Sequence, residues 1–167
     1  MRQHLGWLGV ESAVDAGTTF HIYLPRTTAP ETSFTANDAL TMPRGHETIL
    51  LVEDEPGLLN LETTILQRCG YRVLPARNGV EGLRVWAEAG GQVQLVLTDL
   101  VMPGGISGLE LIARLRQSAP RLKAILSSGY SQELMRRGQA HARVRFLNKP
   151  YQPAALAKAV RDVLDEG

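Results

Sequence analysis

The sequence predicts an α/β domain whose parallel sheet is covered by helices on both faces. Three features predict it. From residue 47 onward, strand-like and helix-like segments alternate, five of each. The strand-like segments are unbroken apolar runs such as ILLV, LVL and AIL, the pattern of strands buried on both faces. The helix-like segments space their apolar residues three and four apart and are bounded by Gly, Pro or Ser.

The first strand covers residues 48–52 (TILLV) and runs into Glu53, Asp54 and Glu55. Pro56 suits the first turn of a helix, which extends to Cys69 and stops at Gly70. Leu58, Leu61 and Ile65 fall in register with Cys69, so the cysteine reads as a small buried hydrophobe. Residues 71–74 form a short second strand. The next helix, 79–89, carries Val80, Leu83 and Trp86 at helical spacing and ends at Gly90-Gly91. The third strand, 95–98, delivers Asp99 into a Met-Pro-Gly-Gly turn. A helix over 107–118 turns Leu109, Ile112 and Leu115 inward. The fourth strand is 123–127, followed by a short polar helix at 131–139. The fifth strand, 144–147, leads to a last helix at 153–164 with Leu156, Val160 and Val163 toward the core. Five such units imply a flavodoxin-like five-stranded parallel sheet in the order 2-1-3-4-5.

Residues 1–26 differ in kind. GWLGVES and TTFHIYLP are β-prone segments around a turn-like AVDAG, and Phe20, Ile22 and Leu24 alternate with His21 and Tyr23 as in a half-buried strand. A lone hairpin is marginal in water and needs a partner surface. Residues 27–45 are polar, carry proline and show no period, so they read as a linker between domains.

Composition sets the outer bounds. At 167 residues there is room for one well-buried domain and an extension. Hydrophobic content of 44%, charged content of 21% and a net charge of +1 are ordinary for a globular protein and argue for neither nucleic acid nor an anionic membrane. No apolar run approaches the roughly 20 residues that span a bilayer, and the first residues lack the apolar core of a secretion signal. The single cysteine excludes an intrachain disulfide and a cysteine-built zinc site. The expectation is a cytoplasmic protein.

The chemistry lies at the strand ends. In the order 2-1-3-4-5 the first and third strands are neighbours at the topological switch point, where ligands bind in such sheets. Their ends bring Glu53, Asp54 and Asp99 together, with Ser127 or Ser128 and Lys149 arriving alongside. Three carboxylates in one cleft repel unless a cation neutralises them, and a few hard oxygen ligands suit Mg²⁺. Asp99 would then be free to act as a nucleophile toward phosphorus, with the Lys149 ammonium and the Ser128 hydroxyl positioned for phosphoryl oxygens. Singly, each residue has an ordinary explanation, such as acids complementing a helix dipole. Their conjunction on the expected strands is the signal.

LLVEDEP, LTDLVMPGGISG, ILSSGYS and FLNKP together resemble the receiver domain of two-component response regulators, over residues 46–167. The resemblance implies Asp99 as phosphoacceptor, Glu53 and Asp54 as Mg²⁺-binding acids, and the backbone carbonyl of Val101 as a further metal ligand. It implies Lys149 as the lysine ahead of a cis-forming Pro150, Ser128 as the switch hydroxyl and Phe146 as the switch aromatic, with Tyr130 in the loop that moves. Glu53 stands where Asp is commoner, an extra glycine follows Pro103, and Phe146 lacks the hydroxyl of the more frequent tyrosine. Such a domain assists its own phosphorylation and dephosphorylation and receives its phosphate from a phosphohistidine on a kinase or phosphotransfer protein.

The segment QHLGWLGVESAVDAGTTFHIYLP resembles the last two strands of the ATP-binding domain of sensor histidine kinases, while the Asn-bearing helix and Gly-rich nucleotide motifs of that family do not occur in this sequence. The combined resemblance implies the C-terminal receiver of a hybrid histidine kinase, with residues 1–26 a remnant of the kinase that cannot bind ATP alone. A stand-alone response regulator is the alternative. A flavodoxin-like ligand-binding module is disfavoured because Glu53-Asp54-Glu55 occupies the place of a phosphate loop. Output is expected through protein contact at the face of the receiver's fourth helix, fifth strand and fifth helix, where Arg136, Arg137, His141, Arg143 and Arg145 form a basic run. Homodimerisation is left open.

Overall fold

Alternate residues along each parallel strand serve opposite faces of one sheet, and two cores result. A computed structural model of the chain describes residues 6–26, 42–103, 105–129 and 144–166. The chain divides into two units, Met1–Phe34 and Thr35–Gly167.

The first unit is an antiparallel hairpin of β1 (Trp7–Ala13) and β2 (Gly17–Tyr23), in register from Trp7 opposite Tyr23 to Ala13 opposite Gly17. Asp15 at φ 62° and Gly17 at φ 88° make the turn in left-handed backbone. The Trp7 and Tyr23 rings stack with centroids 4.0 Å apart. The alternation of Phe20, Ile22 and Leu24 predicted a half-buried strand, whereas these side chains are 62%, 62% and 63% exposed. Two strands make a single layer, and a single layer cannot bury either of its own faces.

The second unit runs β3 (Thr48–Val52), α1 (Pro56–Arg68), β4 (Arg72–Ala76), α2 (Gly79–Ala89), β5 (Leu95–Asp99), α3 (Gly108–Ser118), β6 (Lys123–Ser128), β7 (Arg145–Asn148) and α4 (Pro153–Asp165). The strands are parallel and ordered β4-β3-β5-β6-β7, which is the predicted 2-1-3-4-5. Strand limits shift by a residue or two. The largest change is at β4, which continues through Pro75; this strand lies at the sheet edge, where a missing backbone donor is tolerated. The predicted helix at 131–139 lies outside the described residues, as do Tyr130, Arg136, Arg137, His141 and Arg143. No helix among the described residues is long and apolar enough to cross a membrane.

Ile49, Leu51, Leu95, Leu97 and Ile125 pack with α1 and α4 on one face. Leu50, Val52, Val96 and Leu126 pack with α2 and α3 on the other. This double burial is why the strands read as continuous apolar runs.

Two helix faces differ from expectation. Cys69 is buried, but its stripe on α1 is Leu59, Glu62 and Leu66, while Leu61 is exposed. A leucine-rich helix offers two overlapping apolar stripes, and tertiary contacts select one containing an acid. On α2, Val80 points to solvent and the buried positions are Gly79 and Gly82. A Cβ at Gly82 would stand 3.2 Å from Val52 Cγ2, so the glycine lets the helix lie close on the sheet.

An ion pair joins the entrance of this unit to its last helix. Arg161 donates from its two terminal nitrogens to the Glu47 carboxylate at 2.9 and 3.3 Å. Burial raises the Glu47 carboxyl, but Arg161 and the backbone amides of Glu47 and His46 outweigh it and bring its pKa down to about 2. Because the folded value is depressed, the stabilisation is present above the ordinary value of 4.5 and is lost as pH falls toward 2. Arg161→Ala is expected to lower the unfolding free energy by about 1–2 kcal/mol at neutral pH and by progressively less in acid, as read by urea unfolding at several pH values.

Candidate functional site

The predicted acids and lysine meet at the carboxyl ends of β3, β5 and β7. Glu53 follows β3 directly, its backbone amide donating to Ala76 O at 3.1 Å, and its side chain is buried. Asp54 is half-buried one residue on, and Pro56 opens α1 immediately afterward. Asp99 is the last residue of β5. Glu53, Asp54 and Asp99 can each place one carboxylate oxygen within 4.8 Å of the others.

Lys149 leaves β7 with its amide donating to Ser128 O at 2.9 Å, and the peptide bond to Pro150 is cis. Its ammonium donates to Glu53 Oε2 at 2.6 Å and to Asp99 Oδ2 at 2.9 Å. Burial works against the Lys149 charge, but the two carboxylates prevail and hold its pKa above the ordinary range. For Glu53, burial dominates over the attraction of Lys149 and pushes the carboxyl upward. Three acids against one ammonium leave two negative charges unbalanced, the complement of a divalent cation.

The approach of α3 to this edge depends on Gly108. Ser107 caps that helix by accepting from the Glu110 amide at 3.3 Å, and Gly108 is its first residue. A Cβ there would stand 2.1 Å from the Asp99 carbonyl oxygen. Ser127 and Ser128 are both buried at the end of β6, with the Ser127 hydroxyl donating to Thr98 O at 3.4 Å. Phe146 is half-buried against the second core, and Val101 is exposed two residues beyond Asp99. Arg145, from the basic run, lies 3.9 Å from both Asp162 and Glu166.

The sequence reading missed Glu62 and Tyr151. The Tyr151 hydroxyl donates to the Glu62 carboxyl, which is 1% exposed. Burial, reinforced by Glu53 and Asp99, raises Glu62 to about 7 against the opposing pulls of Tyr151 and Lys149. The available signal was an acid in helical register with Leu59 and Leu66.

These features define a class: a doubly wound α/β domain with an acidic cluster and a lysine at its switch point. Residues 49–161 match the response regulator receiver domain family, and the chain belongs to that family. It is 35% identical to the sensor kinase CckA of Brucella abortus (strain 2308) in an alignment that takes in 99% of this chain and 18% of that protein. The transcriptional regulatory protein GlrR of Escherichia coli (strain K12) is 34% identical over 71% of this chain and 26% of its own length. The chain thus spans about a fifth to a quarter of these relatives. Among solved structures, the receiver domain of the hybrid histidine kinase CckA superposes with a TM-score of 0.60 at 32% identity, covering 71% of this chain and 99% of that one. The response regulator TrrA of Thermotoga maritima, in complex with Mg²⁺ and BeF, gives 0.61 at 32% identity, covering 70% and 98%.

Two outcomes follow from this geometry. In Gly108→Ala, helix propensity favours alanine by up to about 1 kcal/mol, yet the clash with the Asp99 carbonyl is expected to prevail and destabilise by about 2 kcal/mol in denaturant unfolding. For Glu62, the folded pKa lies above the ordinary 4.5, so between 4.5 and 7 the folded state holds the extra proton and stability falls as pH rises. Relative to wild type, Glu62→Gln is expected to gain about 2 kcal/mol in unfolding free energy on going from pH 5 to pH 8.

Proposed function

We propose that Asp99 is the phosphoacceptor of this receiver and takes its phosphoryl group from a phosphohistidine on a histidine kinase or phosphotransfer protein. The observation that carries the reading is the convergence of Glu53, Asp54 and Asp99 within 4.8 Å, with the Lys149 ammonium between two of them. The donor set, a few hard carboxylate oxygens with surplus negative charge, fits Mg²⁺. Glu53, Asp54, Asp99 and the Val101 carbonyl would hold the ion, whose bound charge offsets that of the transferring phosphoryl oxygens. The complex of TrrA with Mg²⁺ and BeF supports the assignment.

In the transfer, a carboxylate oxygen of Asp99 forms a bond to phosphorus as the phosphorus–nitrogen bond of the donor breaks, and that electron pair stays on the imidazole. Lys149, 2.9 Å from Asp99 Oδ2, presents its cation to the incoming oxygens. The acyl phosphate adds about two negative charges. Ser128, one residue past the β6 position paired with Asp99, is drawn to it, making room for Phe146. The readout is a repacked face around β7 and α4 that an output protein recognises. The same groups assist hydrolysis of the acyl phosphate.

Residues 1–26 are read as the final strands of a kinase ATP-binding domain, 27–45 as a linker and 46–167 as the receiver of a cytoplasmic hybrid histidine kinase. This is supported by the extent of the matches: that to CckA takes in 99% of this chain, hairpin included, whereas that to GlrR takes in 71%.

With Mg²⁺ and acetyl phosphate, intact mass is expected to show addition of one phosphoryl group to wild type and none to Asp99→Asn. Equal modification of both proteins would remove Asp99 from the role.

A further inference from the structure

We propose that Tyr151 and Glu62 are positioning residues, whose hydrogen bond ties the turn bearing Lys149 to α1 and so sets where the Lys149 ammonium sits. Its bearing on phosphoryl transfer rests on the reading of Asp99 given above; the placement of the ammonium does not.

Lys149, Pro150 and Tyr151 link β7 to α4. The Lys149 amide is held by Ser128 O at 2.9 Å, but α4 begins at an N-cap, Gln152, whose side chain makes no capping bond. Between those points the turn is anchored through Tyr151. Its ring packs on the first core cluster, and its hydroxyl reaches Glu62 on α1, 89 residues away in sequence. The Ser127 hydroxyl is a second polar neighbour of the Tyr151 oxygen and itself donates to Thr98 O, the residue before Asp99. A polar chain therefore runs from α1 through the lysine-bearing turn to the strand of Asp99.

Glu62 occupies a register position where leucine would complete the stripe of Leu59 and Leu66. A buried carboxyl is unfavourable there unless it is hydrogen-bonded, so the bond to Tyr151 accounts for an acid at this position. Lysine has a long, flexible stem, and its 2.6 and 2.9 Å contacts require a fixed backbone origin. Removing the tether leaves that origin held on one side only.

The test uses the full chain with Tyr151→Phe, which keeps the ring and removes one oxygen, and Glu62→Leu, which removes the acceptor. The first readout is NMR of the Lys149 ammonium without metal or phosphodonor: both variants are expected to exchange its protons with water at least about fivefold faster than wild type. The second is the initial rate of Asp99 phosphorylation by acetyl phosphate at saturating Mg²⁺, expected to fall about tenfold, with the Mg²⁺ dissociation constant held within about twofold. Glu62→Gln, whose amide oxygen still accepts from Tyr151, is expected to recover what Glu62→Leu loses in both readouts. A purely structural pair would lower the unfolding midpoint and leave the ammonium signal in place, and that result overturns the proposal. An unchanged phosphorylation rate beside an altered ammonium overturns its bearing on the reaction. Failure of wild type to take phosphate would refute the phosphoacceptor reading alone, since the ammonium measurement is made without phosphate.

Discussion

The contact on which this edge of the sheet depends is the Lys149 ammonium between Glu53 and Asp99. It joins the ends of three strands, two of which are not adjacent to β7. Burying a carboxylate such as Glu53 is unfavourable, and the offset requires an opposite charge in close hydrogen-bonded contact. Glu53 cannot obtain it locally, because its neighbours in sequence are Asp54 and Glu55. The cation comes from 96 residues later in the chain, and only the completed sheet brings it there. Like charges gathered at a strand end therefore oppose assembly until the last strand is in place.

The sheet order makes this gathering unavoidable. With β5 central, β3 beside it on one flank and β6 then β7 on the other, any polar residues that terminate these parallel strands share one edge. The helices then close on that edge from both faces. Gly108 lets α3 start against the Asp99 carbonyl, and Gly82 lets α2 lie on Val52. Both glycines serve proximity, and both keep larger side chains away from the backbone that carries the acids.

The legible part of the structure was whatever is encoded by neighbours in sequence. Unbroken apolar strands announced burial on two faces, and the polar residues that interrupt them announced the site, so Glu53, Asp54, Asp99 and Lys149 were all readable. The order of strands followed from the alternation of elements. What was not readable depended on partners far along the chain. Leu58, Leu61 and Ile65 are as good a stripe as Leu59, Glu62 and Leu66 until Tyr151 supplies a hydroxyl to the acid. Val80 fits an inward position by spacing, yet Gly79 and Gly82 win because close packing favours the side with no side chain. In the hairpin, alternation correctly marks an apolar face but carries no information about what covers it.

Depth separates the roles of the acids in this domain. Asp54 and Asp99 lie half-buried at the strand ends, where their carboxylate oxygens and one from Glu53 fall within 4.8 Å of one another. Glu53 is buried but remains in contact with Lys149, so its charge is matched within the protein. Glu62 lies deeper, its chief hydrogen-bond partner is a phenol, and burial lifts its carboxyl to about 7. One functional group, the carboxyl, thus lies half-exposed at the strand ends, pairs with an ammonium beneath them and accepts a hydrogen bond from a phenol at the base. Desolvation sets that order, because the penalty on charge grows with depth while the available neighbours change from cations and water to a tyrosine. The acids consequently form a graded set, ion-paired with Lys149 at the strand ends and held by a phenol where the domain meets its core.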